Sequence, residues 1–112
     1  VGCGGDRDKS KRSPMGQALY SGSDLAIFTS DNPRSENPQV ILEQMTQGLK
    51  ISKPSAIVQD RAEAIELAVN LAEPGDVVIV LGKGHERGQE IGGVVHPFDD
   101  RLVLARAIEA KK

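Results

Sequence analysis

The 112-residue sequence predicts an α/β fold: a Rossmann-like open, mostly parallel sheet flanked by helices. Three observations predict it. Short apolar runs alternate with helix-length amphipathic stretches along the whole chain. One of those runs, Asp76 to Leu81, is apolar without interruption after its first residue, as in a strand covered by helices on both faces. The runs are also followed directly by polar segments that carry glycine or proline, and in an open α/β sheet the residues just past strand carboxyl ends line the ligand crevice.

Val1-Gly2-Cys3 reads as the end of a strand, and the polar loop Gly4 to Ser13 follows it. Pro14 suits the first turn of a short helix running to about Ser21. Leu25 to Ser30 is the next strand. Asn37 and Pro38 read as an N-cap and first helical residue, opening a helix whose apolar positions are Val40, Ile41, Leu42 and Met45; Gly48 ends it. Ala56-Ile57-Val58 is a short strand. Asp60 caps an amphipathic helix, with Glu63 three residues on as in a capping box, and Glu73-Pro74-Gly75 stops it. After the Asp76–Leu81 strand, Ile91 to Val95 reads as a short antiparallel strand. Asp99 or Asp100 then caps a last helix through Ala110.

Residues 1–112 read as one domain, long enough for a core but short for a multi-substrate enzyme. With no initiator Met and an opening in mid-strand, the chain reads as a piece of a longer protein. Fourteen basic against sixteen acidic residues leave a net charge of −2, and only Arg7 to Arg12 concentrates positive charge, which disfavours a nucleic-acid binder. Two Phe, one Tyr and no Trp leave no set of base-stacking platforms. No apolar run approaches the roughly 20 residues that span a bilayer, and no signal-peptide pattern is present. Cys3 is alone, so no intrachain disulfide forms and a reducing, cytoplasmic setting fits; it reads as a small apolar residue at a strand end.

The chemistry concentrates in three loops at strand ends. Asp31-Asn32-Pro33-Arg34 follows the second strand, Gly82-Lys83-Gly84-His85-Glu86 follows the Asp76–Leu81 run, and Gly4-Gly5-Asp6-Arg7-Asp8-Lys9 follows the first. Two arginines, an asparagine, a glutamate and glycine-lined backbone on one rim suit a small zwitterion with carboxylate and ammonium groups. Arg34 can form two parallel hydrogen bonds to a carboxylate, a geometry lysine cannot reproduce; the alternative is a surface arginine paired with Glu36. Asn32 adds a donor and an acceptor, Pro33 stiffens the turn, and Asp31 can orient it through an Asx-type bond. Glycines in the third loop permit close backbone approach, and Glu86 can accept from an ammonium. Lys9, Lys11 and Arg12 read either as a solvated charge run or as partners of phosphate. The first loop is neither a phosphate-binding Walker loop nor a dinucleotide fingerprint, because the required Lys-Ser/Thr and third glycine are missing. His85 lacks a second histidine at zincin spacing and reads as a loop hydrogen-bonder. Lys83 has no role assigned by sequence.

Cys3 through Lys9 followed by Lys11-Arg12, then Asp-Asn-Pro-Arg, Gly-Lys-Gly-His-Glu and the closing Pro97-Phe98-Asp99-Asp100-Arg101 resemble, in this order, the C-terminal domain of the Mur ligases. Within that family the resemblance is to the ligases that add meso-diaminopimelate. Ser10 and Ser13 depart from the pattern, which has glycine and proline there. The resemblance implies that Arg7, Asp31, Asn32, Pro33, Arg34, Gly82 and Glu86 bind meso-diaminopimelate, with Arg34 on the carboxylate of its D-centre. Asp6 and Lys9 are candidate nucleotide or phosphate contacts. It implies no metal ligand or catalytic residue here. ATP and Mg²⁺ would be bound mainly by a central ATPase domain, where ATP turns the D-glutamyl carboxylate of UDP-N-acetylmuramoyl-L-alanyl-D-glutamate (the UDP-MurNAc-dipeptide) into an acyl phosphate for attack by the amino acid. Rival readings are a Mur-type ligase for L-lysine, a non-catalytic small-ligand-binding Rossmann module, and a receiver-type interaction domain. An arginine facing lysine's missing carboxylate, the absent glycine fingerprint and the basic rim oppose them in turn.

Overall fold

The computed structural model describes residues 1–83 and 86–111. The elements in order are α1 (Arg12–Gly22), β1 (Ile27–Phe28), α2 (Pro38–Met45), β2 (Ala56–Ile57), α3 (Arg61–Leu71), β3 (Gly88–Ile91), β4 (Val94–Pro97) and α4 (Asp100–Lys111). A single turn of 3₁₀ helix, Lys9–Lys11, leads into α1, so that helix begins two residues before Pro14. Asp8 caps the turn by accepting from the Ser10 amide at 3.0 Å and from the Ser10 hydroxyl at 2.7 Å. The serine at position 10 thus supplies a local bond that glycine could not.

Helix starts follow the capping residues in the sequence. Asn37 Oδ1 accepts from the Gln39 amide at 2.9 Å ahead of Pro38, and Asp60 Oδ1 from the Glu63 amide at 3.0 Å. Asp99 Oδ1 accepts from the Arg101 amide at 3.0 Å at the start of α4. α2 ends at Met45, three residues before Gly48, where the Thr46 hydroxyl turns back to the Leu42 carbonyl at 2.8 Å. At the end of α3 the ammonium of Lys111, on α4, donates to the carbonyls of Val69 (2.6 Å), Asn70 (3.2 Å) and Ala72. A cation there adds a donor to carbonyls of the last turn and its cap, of which Val69 also accepts from the Ala72 amide at 3.3 Å.

β1 and β2 pair in parallel, Ile27 opposite Ala56 and Phe28 opposite Ile57. On the other side of β1, Val1 donates to the Ile27 carbonyl (3.1 Å) and accepts from the Thr29 amide (3.0 Å), the pattern of a further parallel strand. The expected strand at 76–81 is not a hydrogen-bonded strand. Val77, Ile79 and Leu81 are exposed while Val78 and Val80 are half-buried, so the alternation of a sheet face is there. Among the described residues, however, no backbone ladder bonds reach 77–80, because the neighbouring Val1–Cys3 segment lies beside Gly82. A second correction concerns Ile91 to Val95. That stretch is not one strand but the tip of the β3–β4 antiparallel hairpin, turning at Gly92 and Gly93, both at positive φ.

Two apolar clusters hold the layers. Cys3, Ala26, Phe28, Ile41, Leu42 and Met45 pack beneath α1 and α2, and Ile65, Val69 and Ala107 join Val80, Phe98, Val103 and Leu104 between α3 and α4. Phe28 and Met45 have no exposed surface; burying such a side chain contributes about 1.5–3 kcal/mol. The result is the α/β layering expected from the sequence, with the Asp31–Arg34 loop after β1 gathered beside the loops that follow Cys3 and Leu81.

Candidate functional site

The Asp31–Arg34 loop follows β1, and its shape is set by the hairpin docked on it. The Arg34 amide donates to the Glu90 carbonyl at 2.9 Å and the Gly92 amide to the Arg34 carbonyl at 2.7 Å. Gln89 is buried and its side-chain amide donates to the Asp31 carbonyl at 2.7 Å. The Glu90 amide donates to Asn32 Oδ1 at 2.9 Å. Held this way, Arg34 sits at φ 53°, a left-handed conformation that costs a non-glycine residue about 1–2 kcal/mol. Its guanidinium is aimed by the Gly5 and Asn32 carbonyls, at 2.9 and 3.4 Å from Nη1. Glu90 is the nearest carboxylate, 3.8 Å from Nε, and most of the Arg34 side chain is buried. Glu36, the alternative partner weighed from sequence, is engaged elsewhere.

Asn32 joins the second and third loops. Its Oδ1 accepts from Lys83 Nζ (3.2 Å) as well as from the Glu90 amide, so its Nδ2 donates to the exposed Glu86 carboxylate at 3.2 Å. Asp31 and Pro33 are buried; Lys83 Nζ lies 3.0 Å from Asp31 Oδ1. Gly82 adopts φ 108° against the Gly2 backbone. Gly84 and His85 lie outside the described residues, so the hydrogen-bonding role read for His85 does too.

The first loop meets the second directly. The Gly5 amide donates to the Asn32 carbonyl at 2.7 Å. A Cβ on Gly4 would stand 2.8 Å from Arg34 Nη1 and 3.6 Å from Arg7 Cγ, so the two arginines flank one glycine on the same rim. Arg7 is exposed, with Nη1 donating to the Asp6 carbonyl at 3.3 Å. It lines an open cavity of about 330 Å³ together with Gly4, Lys11, Asp31 and Gly82. Asn32, Arg34 and Glu86, expected around the same concave site, are not in that cavity's wall. A larger cavity of about 620 Å³ between α3, α4 and residues 73–78 is walled mostly by apolar side chains.

Asp6 is occupied by its neighbours. Both its oxygens accept from the Ser35 hydroxyl (2.6 and 2.7 Å), and Oδ2 from the Ser35 amide (3.2 Å), holding its carboxyl below the usual carboxylate range. Lys9 is largely exposed, 3.7 Å from Glu36. Arg12 is neither solvated nor free for phosphate: it is buried, with Glu36 at 2.7 and 3.2 Å, Gln44 at 2.7 Å and the Gly4 carbonyl at 3.0 Å. The Arg12 hydrogen bonds hold the Glu36 carboxyl down at about 2. Burial pushes the Cys3 thiol up, and the thiol donates weakly to the Met15 sulfur, 3.7 Å away. No group of three potential metal ligands occurs among the described residues.

Sequence reasoning missed Gln89, Glu90, Arg12 and Lys83 as site builders. The first two carried a usable signal, since Gly-Gly between two short runs marks a two-residue hairpin. Nothing in the sequence distinguishes a lysine or arginine that will be buried from one that will not.

Residues 1–84 match the family described as "Mur ligase, glutamate ligase domain". The UDP-N-acetylmuramoyl-L-alanyl-D-glutamate–2,6-diaminopimelate ligase of Streptomyces coelicolor is 56% identical over 97% of this chain and 22% of its own length. The ligase of the same name from Listeria monocytogenes serotype 4b is 52% identical over 99% of this chain and 23% of its own. A solved structure of a ligase of that name superposes with a TM-score of 0.92 at 47% identity, covering 99% of this chain and 23% of the other. The chain thus spans less than a quarter of the length of the relatives it matches. With the three loop motifs in order and the fold shared, the chain belongs to the Mur ligase family.

Proposed function

We propose that residues 1–112 form the amino-acid-binding, C-terminal domain of an ATP-dependent, cytoplasmic ligase that adds meso-diaminopimelate to UDP-N-acetylmuramoyl-L-alanyl-D-glutamate in peptidoglycan synthesis. The observation that carries this reading is the pairing of a fixed guanidinium with a fixed carboxylate across Asn32. Arg34 is aimed by two backbone carbonyls, and Glu86 is held by the Asn32 amide. A cation and an anion held on one short loop junction match the carboxylate and ammonium of one amino-acid centre. Arg7, on the same rim, is the group for a second carboxylate.

The chain's contribution is to bind and orient. Holding the amino acid at both ends presents its other amine to an activated carboxyl group, and such positioning converts a bimolecular step into an effectively unimolecular one. ATP and Mg²⁺ belong to the rest of the ligase in this reading, because the residues here do not fit them well. The described residues contain no acidic cluster for a metal, and Asp6 is committed to Ser35. Lys9 alone of the two candidate phosphate contacts is loosely held and able to reach a phosphate from a neighbouring domain.

The test compares meso-diaminopimelate with L-lysine in the full-length ligase, wild type against Arg34→Ala. Diaminopimelate should be preferred by as much as ~10⁴-fold, since lysine leaves the guanidinium unpaired. Arg34→Ala should cost diaminopimelate roughly 2–5 kcal/mol in kcat/KM, the range for truncating one member of a buried charge pair, and should change lysine turnover much less. Equal losses for both amino acids would reduce Arg34 to a loop support, and a wild-type preference for L-lysine would favour the lysine ligase.

A further inference from the structure

Lys83 is a motif residue that sequence left without a role, and its surroundings are unusual for a lysine. Its side chain has no exposed surface. Its ammonium donates to the Gly88 carbonyl at 2.8 Å and to Asn32 Oδ1 at 3.2 Å, and stands 3.0 Å from Asp31 Oδ1. The last contact is one of charge, because that carboxylate oxygen receives no well-directed hydrogen bond. The face of Phe98 closes the other side, 6.0 Å from the nitrogen. Lysine is rarely buried unless paired, and burying its charge is costly unless the geometry compensates.

These contacts bracket the residue that faces the ligand. Lys83 Nζ grips Gly88, the Lys83 carbonyl accepts from the Glu86 amide at 3.2 Å, and Nζ also holds Asn32, whose amide holds the Glu86 carboxylate. Glu86 is exposed, yet its backbone and its carboxylate are both tied to groups that Lys83 fixes. Through Asn32 the same ammonium is fastened to the loop that carries Arg34.

We propose that Lys83 is a positioning residue for the amino-acid site, its buried ammonium setting the placement of Glu86 relative to Arg34. The inference rests on the function proposed above. Its consequence is stereochemical. With the carboxylate and the rest of the molecule held, inverting one amino-acid centre exchanges the places of its ammonium and its hydrogen. Discrimination between configurations therefore depends on how rigidly the carboxylate receptor and the ammonium receptor are held with respect to each other. A loosened Glu86 would still attract an ammonium, but from either configuration.

The experiment compares the wild-type full-length ligase with Asp31→Asn/Lys83→Met, which removes both charges of the pair at once, so that no uncompensated charge is buried in either. Measured quantities are kcat/KM for meso- and LL-diaminopimelate, KM for ATP, and Tm. Going from wild type to the double variant, the meso/LL ratio should fall roughly tenfold to a hundredfold, the scale of a misplacement of about 1 Å. KM for ATP should stay within a factor of about two, since uniform damage would move both substrates together. An unchanged meso/LL ratio overturns the proposal, as does a double variant that fails to fold or loses affinity for ATP in parallel, either of which makes Lys83 structural only. A wild-type enzyme indifferent to meso-diaminopimelate would instead defeat the underlying function, before any variant is compared.

Discussion

Glu36 and Arg12 hold two functional loops in register with a single charge pair. Arg12 reaches the Gly4 carbonyl while Glu36 accepts from the Asp6 amide at 2.6 Å, so the pair binds the first loop to the segment following Arg34. The fold prefers Glu36 ionised: its carboxyl drops from an ordinary 4.5 to about 2, mainly through the Arg12 hydrogen bonds. A group whose pKa is depressed by folding stabilises above its unfolded pKa and loses that contribution as pH falls through its folded pKa. The Glu36 contribution should therefore be complete above about 4.5 and gone near 2. Glu36→Gln keeps the shape and an acceptor for Arg12 but does not titrate. The difference in Tm between wild type and Glu36→Gln should be constant from pH 7 to about 5 and shrink toward zero at about 2. Asp8 and Asp99 titrate in both proteins and cancel, whereas Asp6 feels the Glu36 charge as a minor upward push that the variant removes. A difference that does not change with pH would show that Arg12 gains nothing from the charge.

Among the elements, α1 and α2 show how closely backbones approach beneath the first loop. Gly16 is buried on α1, and a Cβ there would fall inside the van der Waals radius of the Met45 carbonyl oxygen at the end of α2. The obstacle is backbone and cannot swing aside. Gly16→Ala, which in an exposed helix would stabilise, should here destabilise by about 1–3 kcal/mol or more, as other overpacked sites do. Urea denaturation checks the sign, and a stabilised variant would mean that the helices separate at little cost. The element scale is also where the sequence was most and least readable. Caps at Asn37, Asp60 and Asp99 announced three helices because their signal is local. The 76–81 strand was read from apolarity, which reports what side chains want to face but not whether a backbone partner lies alongside. The hairpin was half-read: Val94 and Val95 carried β-propensity, whereas Gly88, Gln89 and Glu90 are strand residues because they pair with Pro97, His96 and Val95, and Gln89 and Glu90 also bond to the Asp31–Arg34 loop. In the site itself the exposed arginine and the glutamate were legible as motif residues, while the buried scaffold of Arg12, Lys83 and Gln89 follows from long-range contacts that spacing does not reveal.

At the scale of the whole molecule, Arg61 joins what the two apolar clusters leave separate. It is fully buried at the first position of α3, with Nε and Nη2 donating to the two oxygens of Asp100 at 2.8 and 2.7 Å. Its remaining donors reach the Ser30 carbonyl at 2.9 Å and the Leu81 carbonyl at 3.1 Å. Ser30 directly precedes the Asp31–Arg34 loop and Leu81 directly precedes the Gly82–Glu86 loop, so one guanidinium lashes both motif loops to α3 and α4. Asp100, from the closing Phe-Asp-Asp-Arg element, is the counter-charge that makes burying Arg61 tolerable. Removing one partner leaves the other charge buried and alone, which typically costs 3–5 kcal/mol, whereas replacing both with apolar side chains of similar volume is far milder. Arg61→Met and Asp100→Leu should each destabilise by about 3–5 kcal/mol, and the double variant by clearly less than their sum. Because Met cannot bond the Ser30 and Leu81 carbonyls, the double variant should regain stability without regaining the geometry of the site. In the full-length ligase its Tm should recover toward wild type while KM for the amino acid remains raised. Strictly additive losses would mean that the ion pair is not what couples the layers. Recovery of both Tm and KM would mean that the motif loops hold their places without Arg61.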